Sequence, residues 1–348
     1  MEEIAIQTRS LASLTDVVGE ELVAELAGPA AELAAGALGK AAVINVNSTG
    51  AGGGVAEMLR VVLGYARDAG IDARWLVIEG DPAFFEVTKR IHNHLYGTDG
   101  DGGPLGEAEH AVYRATQAVN APELLTFVRP GDVVILHDPQ VAGLAEAVKE
   151  AGGRVAWRCH VGIDEQNAQS EAAWGFLRPY LEPFVEQYVF SREAFAPAWV
   201  PRDRMVVVPP SIDPFSPKNQ DMEEGVVQGI MSHTGLTGGP DGRTHFTRTD
   251  GTAGRLERGA DIIRTGPPPG PDVPIISQIS RWDSLKDMGG VLQAFVEGVA
   301  PTHDGHLILC GPSVAAVDDD PEGAQILTEV WEQWRSLPYP MRRRVTLT

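Results

Sequence analysis

Between residues 41 and 205 the chain alternates short apolar runs with longer stretches in which apolar residues return every third or fourth position. AAVINVNS, DARWLVIE, DVVILHD, RVAWRCH and EQYVFS have the length and composition of strands. DVVILHD, apolar almost throughout, reads as a strand buried on both faces. The segments between them read as helices. VAEMLRVVLGYARDAG is predicted to place Val55, Met58, Leu59, Val62 and Ala66 on one face. DPAFFEVTKRIHNHLYG is predicted to open on Asp81, with Pro82 in its first turn, and GEAEHAVYRATQAVNAPELLTFV to stop at Asn120 and restart near Pro122. PQVAGLAEAVKEAGG ends in glycines, and AWGFLRPYLEPF follows the next strand. Strands alternating with helices specify βαβ units and a mostly parallel sheet, hence one doubly wound α/β domain over 41–205, preceded by an alanine-rich helical segment over 1–40.

The alternation then breaks. Residues 206–272 form a linker and insert, and within it 216–272 is so rich in Gly, Pro, Thr and Asp that it predicts loop chemistry. From 273 the pattern resumes with PIISQIS, GGVLQAFVEGVA, HLILCG, PEGAQILTEVWEQWRSL and RVTLT, the start of a second Rossmann-like domain over 273–348. Three strands covered on two faces normally continue, so the expectation is that this domain is incomplete and the chain is the front part of a longer protein.

The chain has 348 residues, enough for about two domains. Its net charge of −20 argues against nucleic acid or an anionic membrane as the main partner. No run reaches the roughly 18 apolar residues of a membrane span, and MEEIAIQTRS lacks a signal pattern, so a cytoplasmic location is expected. Cys159 and Cys310 each close an apolar run without CxxC spacing and read as ordinary buried thiols.

Four places offer chemistry. In NSTGAGGGVAEML, the glycines Gly50, Gly52, Gly53 and Gly54 enter a helix without completing a dinucleotide fingerprint, because Val55 stands where the third glycine belongs. Such a loop lets backbone N–H groups approach a phosphate; it is equally a tight turn. LHDPQ places His137 and Asp138 at the end of a buried strand, where ligands of open α/β sheets bind, although Asp138 followed by Pro139 also suits a helix cap. WRCH ends the next strand on His160 in the same way. SRWDSLKD spaces Arg281 and Lys286 to hold a diphosphate, or to pair with Asp283 and Asp287. Asp318 to Asp320 read as a solvated helix entry rather than a metal site, and His92, His94 and His110 lack metal spacing.

The ordered set STGAGGGVAEML, LHDPQ, WRCH, VVPPSIDPFSPKN and SRWDSLKD resembles the trehalose-forming retaining glycosyltransferases of family 4, comprising the trehalose glycosyltransferring synthases and the related trehalose phosphorylases. The likeness extends over about 41–348, apart from the insert. It implies a GT-B architecture, two Rossmann-like domains facing across a cleft, and retaining transfer from a nucleoside diphosphate glucose to glucose. By this resemblance Gly52, Gly53 and Gly54 sit against donor phosphate and sugar, Asp138 with His137 nearby contacts acceptor glucose, His160 contacts donor glucose, and Arg281 and Lys286 hold the diphosphate. No metal or other cofactor is implied. The partners implied are a sugar and a sugar nucleotide; family members often form homodimers, an option left open here. The resemblance implies a later glutamate motif that residues 1–348 do not reach, and Glu322, Glu329 and Glu332 do not replace it. Two rival readings stand beside this one: a phosphorylase releasing glucose 1-phosphate, and a non-catalytic sugar- or nucleotide-binding protein.

Overall fold

The computed structural model describes residues 1–348 except 52, 217, 218, 220, 240–243, 248–251, 258 and 315–321. The chain divides into two units, Met1–Asp213 and Pro214–Thr348.

The first unit is built on a seven-stranded sheet. Its strands are β1 (Glu2–Glu3), β2 (Val43–Asn47), β3 (Ala73–Val77), β4 (Val133–His137), β5 (Arg154–Cys159), β6 (Gln187–Phe190) and β7 (Met205–Val207). They lie in the order β1-β3-β2-β4-β5-β6-β7, parallel from β3 onward, with β1 an antiparallel edge on β3. The chain leaves β2 first toward β3 and later returns to its other side at β4. The strand order therefore reverses between β2 and β4, and the crevice beyond their carboxyl ends is the switch point where such sheets take ligands.

Helices follow the strands. An N-terminal helix, α1 (Glu20–Ala35), precedes the parallel sheet, and α2 (Gly53–Asp68) connects β2 to β3. Next come α3 (Pro82–Leu95) and α4 (Glu107–Leu125); a 3-10 turn, Pro139–Leu144, leads into α5 (Ala145–Glu150), and α6 (Ala168–Leu181) joins β5 to β6. One sheet face buries Ile44, Val46, Leu136 and Trp157 against Phe84, Ile91, Tyr113 and Leu177. The other packs Trp75 and Val77 against Leu59 and Leu63 of α2.

The Asp81 carboxylate accepts the Phe84 N–H at 2.8 Å and caps α3, with Pro82 at its start, as the sequence predicts. Three details differ. The buried stripe of α2 is Ala56, Leu59 and Leu63, rotated from the predicted one, and Val62 is 42% exposed. Helix α4 runs through Pro122 unbroken, because Tyr113, Gln117, Asn120 and Leu124 form a buried stripe on both sides of it. Within 216–272 the structure forms a helix, α7 (Glu224–His233), and an antiparallel pair, β8 (His245–Thr247) with β9 (Ala253–Arg255).

The second unit carries a three-stranded parallel sheet, β10 (Ile275–Ile279), β11 (His306–Cys310) and β12 (Val345–Leu347), in that order. Helices α8 (Met288–Ala294) and α9 (Gly323–Ser336) cover it through Met288, Leu292, Val330 and Trp334. Among the described residues no helix is long and apolar enough to cross a membrane.

Candidate functional site

The apolar run of β4 delivers His137 as its last residue and Asp138 directly after it. Asp138 adopts φ 63°, ψ −179°, a conformation almost confined to glycine. Three bonds hold it there. Its N–H donates to the Arg158 carbonyl at 2.8 Å, its carbonyl accepts from the Trp157 indole at 3.0 Å, and carboxylate Oδ1 accepts the His160 N–H at 2.7 Å. The side chain makes no capping bond to the following turn, so the cap reading of Asp138 fails, although Pro139 does occupy the first position. The strained backbone instead turns the carboxylate across to the end of β5.

His137 is 1% exposed and both its ring nitrogens are engaged. Nδ1 lies 3.0 Å from Nε2 of His160, and Nε2 lies 3.0 Å from Oδ1 of Asn45. The contact to Asn45 spans the β2–β4 switch point. Asn45 is itself 3% exposed, and its amide nitrogen has no hydrogen-bond partner. Burial drives the proton affinity of His137 well below the ordinary imidazole range, with His160 and Arg158 adding repulsion. His160 is shifted down by burial as well, against the attraction of the Asp138 carboxylate, and Arg158 again disfavours the proton. Arg158 sits opposite His137 in the parallel register, half-buried, and desolvation lowers its own affinity for a proton.

The glycine loop lies at the same edge of the sheet. Trp75 donates to Asn47 Oδ1 at 2.7 Å, Asn47 donates to the Thr49 carbonyl at 2.8 Å, and Arg60 donates to the Gly50 carbonyl at 2.8 Å. Gly53 has φ +73° and, like Gly54, opens onto space where a side chain would stand. Gly52 lies outside the described residues.

In the second unit Arg281 contacts Asp283 Oδ2 at 3.2 Å, and the buried Asp283 also accepts the Leu285 N–H at 2.9 Å. That much agrees with the pairing alternative for Arg281. Asp287, at φ 48°, spends its side chain capping α8 at Gly290. Lys286 is exposed, with no carboxylate at ion-pair distance among the described residues. Asp318 to Asp320 lie outside the described residues. Cys159 is buried and Cys310 half-buried, both as free thiols.

A separate cavity is lined by Glu107, His110, Arg114, Glu146 and Tyr180. Four of these groups pair: His110 Nδ1 lies 2.7 Å from the Tyr180 hydroxyl, and Arg114 bonds Glu107. The chemistry concentrates at the β2, β4 and β5 ends instead. The residues missed from sequence are Asn45 and Arg158; the alternation of asparagines with apolar residues in INVNS was the visible signal for the first.

Comparison with known proteins bears on this constellation. Residues 45–197 match the family described as trehalose synthase, N-terminal domain. A trehalose synthase from Rubrobacter xylanophilus is 30% identical over 333 residues, covering 94% of this chain and 66% of that protein. The chain thus spans just under two thirds of that relative. A trehalose phosphorylase from Pleurotus pulmonarius is 26% identical over 192 residues, 51% of this chain and 26% of that protein. Among solved structures, a UDP-forming α,α-trehalose-phosphate synthase from Burkholderia xenovorans in complex with glucose-6-phosphate superposes with a TM-score of 0.58 at 13% identity, covering 88% of this chain and 74% of that one. That likeness shows the fold, an α/β architecture of the GT-B class.

Proposed function

We propose, on the premise that residues 45–197 belong to the trehalose synthase N-terminal domain family, that this chain serves a retaining glycosyltransferase making trehalose from a nucleoside diphosphate glucose and glucose, reversibly. The observation that carries this reading is that Asn45, His137, Asp138 and His160 all fall inside the matched segment and meet at the sheet's switch point. Asp138 receives the acceptor glucose, with His137 behind it, and His160 receives the donor glucose. Gly53 and Gly54, with Gly52 before them, leave room for the donor sugar and phosphate. Arg281 and Lys286 take the diphosphate.

In the reaction the bond from the anomeric carbon to the diphosphate oxygen breaks, and the acceptor hydroxyl oxygen bonds to that carbon on the same face. The acceptor's proton passes to an oxygen of the departing phosphate. Cationic side chains at the leaving group stabilise charge as it develops, a task that needs no metal. The partners are a sugar and a sugar nucleotide; neither nucleic acid nor membrane is involved, a homodimer is an option, and the setting is cytoplasmic.

Incubating the chain with trehalose and either ADP or inorganic phosphate tests the reading. A sugar nucleotide from the first mixture supports the synthase. Glucose 1-phosphate from the second replaces it with the phosphorylase. Glucose binding by calorimetry with no product from either mixture favours a non-catalytic binding protein.

A further inference from the structure

We infer that Asn45 and His137 form a hydrogen-bond relay that holds His160 in one neutral tautomer, with its Nδ1 presented as an acceptor to the ligand. The inference rests on the reading of His160 as a sugar-facing group, and it makes His137 a positioning residue that acts through His160.

The amide oxygen of Asn45 faces Nε2 of His137 at 3.0 Å, and an amide oxygen can only accept. Nε2 of His137 therefore carries the hydrogen. In a neutral imidazole the other nitrogen is then a bare acceptor, so Nδ1 of His137 takes a hydrogen bond from Nε2 of His160 across 3.0 Å. His160 has spent its single N–H on this bond, and in the neutral ring its Nδ1 is left with a lone pair.

The relay requires both rings to be neutral. A second proton on His137 would set donor against donor at its contact with His160, and a second proton on His160 would cover the Nδ1 lone pair that faces the ligand. Both rings resist it: His137 is sealed in the sheet, the Arg158 guanidinium disfavours a proton on either ring, and the Asp138 carboxylate only partly offsets the burial of His160. The Asp138 carboxylate is committed to the backbone N–H of His160 rather than to its ring. The two residues that end β4 thus fix His160 at both ends, Asp138 holding its main chain and His137 its side chain.

An acceptor nitrogen selects a hydroxyl that donates, and it leaves no proton to be shared with a departing phosphate. Fixing the tautomer in advance spares the ligand the cost of choosing it, as second-layer partners of functional histidines do elsewhere.

The test is long-range proton–nitrogen correlation spectroscopy on chain labelled with ¹⁵N-histidine, at pH 7.5. Both His137 and His160 should show the Nε2–H pattern. His137→Gln, whose amide oxygen and NH2 can stand in for Nδ1 and Nε2–H, should preserve the His160 pattern. His137→Phe should release His160 to a tautomer mixture. Finding His160 charged, or as the Nδ1–H form, in the unaltered protein would overturn the inference, as would an unchanged His160 in the Phe variant. If the Phe variant does not fold, Asn45→Asp replaces it: a carboxylate on Nε2–H should raise the pH at which His137 titrates, and an unmoved titration also overturns the relay. The spectra report on the rings whether or not any sugar is transferred, so failure of the trehalose assays leaves this result standing and the reverse also holds.

Discussion

The imidazoles of His137 and His160 lie nearly parallel, 15° apart with centroids separated by 5.3 Å, and meet edge to edge through Nδ1 and Nε2. Two histidines this close in a buried site cannot both become imidazolium cations at modest cost. Each binds its proton more weakly in the folded chain than the ordinary value of 6.5, His137 by a wide margin.

Once unfolded, these rings regain ordinary affinity, so below about pH 6.5 the unfolded chain binds more protons and stability falls with pH. His306 in the second unit adds to this, since burial lowers it to about 4. The stabilisation is complete above the unfolded value and is lost from about pH 6.5 downward, toward the lowered folded values. Urea midpoints measured at pH 7.5 and pH 5 should differ, the lower pH giving the lower midpoint, and His137→Gln should reduce the difference. Equal midpoints would contradict the burial argument.

Asp138 offers an inversion of the usual order of small residues. At most positions Ala is more stabilising than Gly by about 0.5–1 kcal/mol. At φ 63°, ψ −179° a side chain costs about 1–3 kcal/mol, which Asp138 offsets with its bond to His160. Asp138→Ala keeps the strain and loses the bond, whereas Asp138→Gly loses both. The Gly variant should therefore be the more stable of the two by about 1–2 kcal/mol in urea unfolding. An Ala variant as stable as the Gly variant would show that the backbone relaxes.

Much of this was legible along the chain because it is local. The cap at Asp81 and Pro82, the apolar run of β4 and the glycine stop after α5 depend on neighbours within a few residues. The positions of His137, Asp138 and His160 at strand ends followed from the same local patterns. Asn45 did not, because its partner is 92 residues away and the two meet only once β4 settles beside β2. The conformation of Asp138 was hidden for a related reason: its strain is held by Arg158, Trp157 and His160, all from the next strand or its end. The two-residue edge β1 is too short and too acidic to register as a strand, and Pro122 reads as a helix break until the stripe from Tyr113 to Leu124 is seen to bury on both sides of it.

Tyr113 supports the turn that follows Asp138. Its hydroxyl, wholly buried, donates to the Pro139 carbonyl at 2.6 Å and accepts the Gly143 N–H at 3.0 Å, while Gln117 donates to the Gln140 carbonyl at 2.8 Å. Tyr113→Phe removes one hydroxyl and strands two backbone groups. The expected cost is about 1–3 kcal/mol, since an unpaired buried polar group forfeits its solvation. Hydrogen exchange locates the effect: the Gly143 amide should exchange markedly faster while the amides of β4 keep their protection. An unchanged Gly143 rate would mean that water replaces the hydroxyl at no cost.

If the proposed function holds, charge at Arg281 and Lys286 governs nucleotide affinity. They are not equivalent. Arg281 is oriented by the buried Asp283, which fixes a planar fork before any ligand arrives, whereas Lys286 is an exposed point charge on a short 3-10 turn. Replacing Lys286 by Ala should weaken binding of ADP or UDP to the chain by roughly tenfold at low salt, with a shallower dependence on ionic strength, because exposed charges are screened. Arg281→Ala should cost at least as much, and Arg281→Lys should not restore it, since an ammonium cannot reproduce a fork directed by Asp283. Glucose binding, measured by the same calorimetry, should be unchanged in all three variants, because a neutral sugar offers these cations little. A double Arg281→Ala, Lys286→Ala variant that binds the nucleotide as tightly as the unaltered chain would remove both residues from the diphosphate site and leave SRWDSLKD as a surface turn whose charges serve the fold alone.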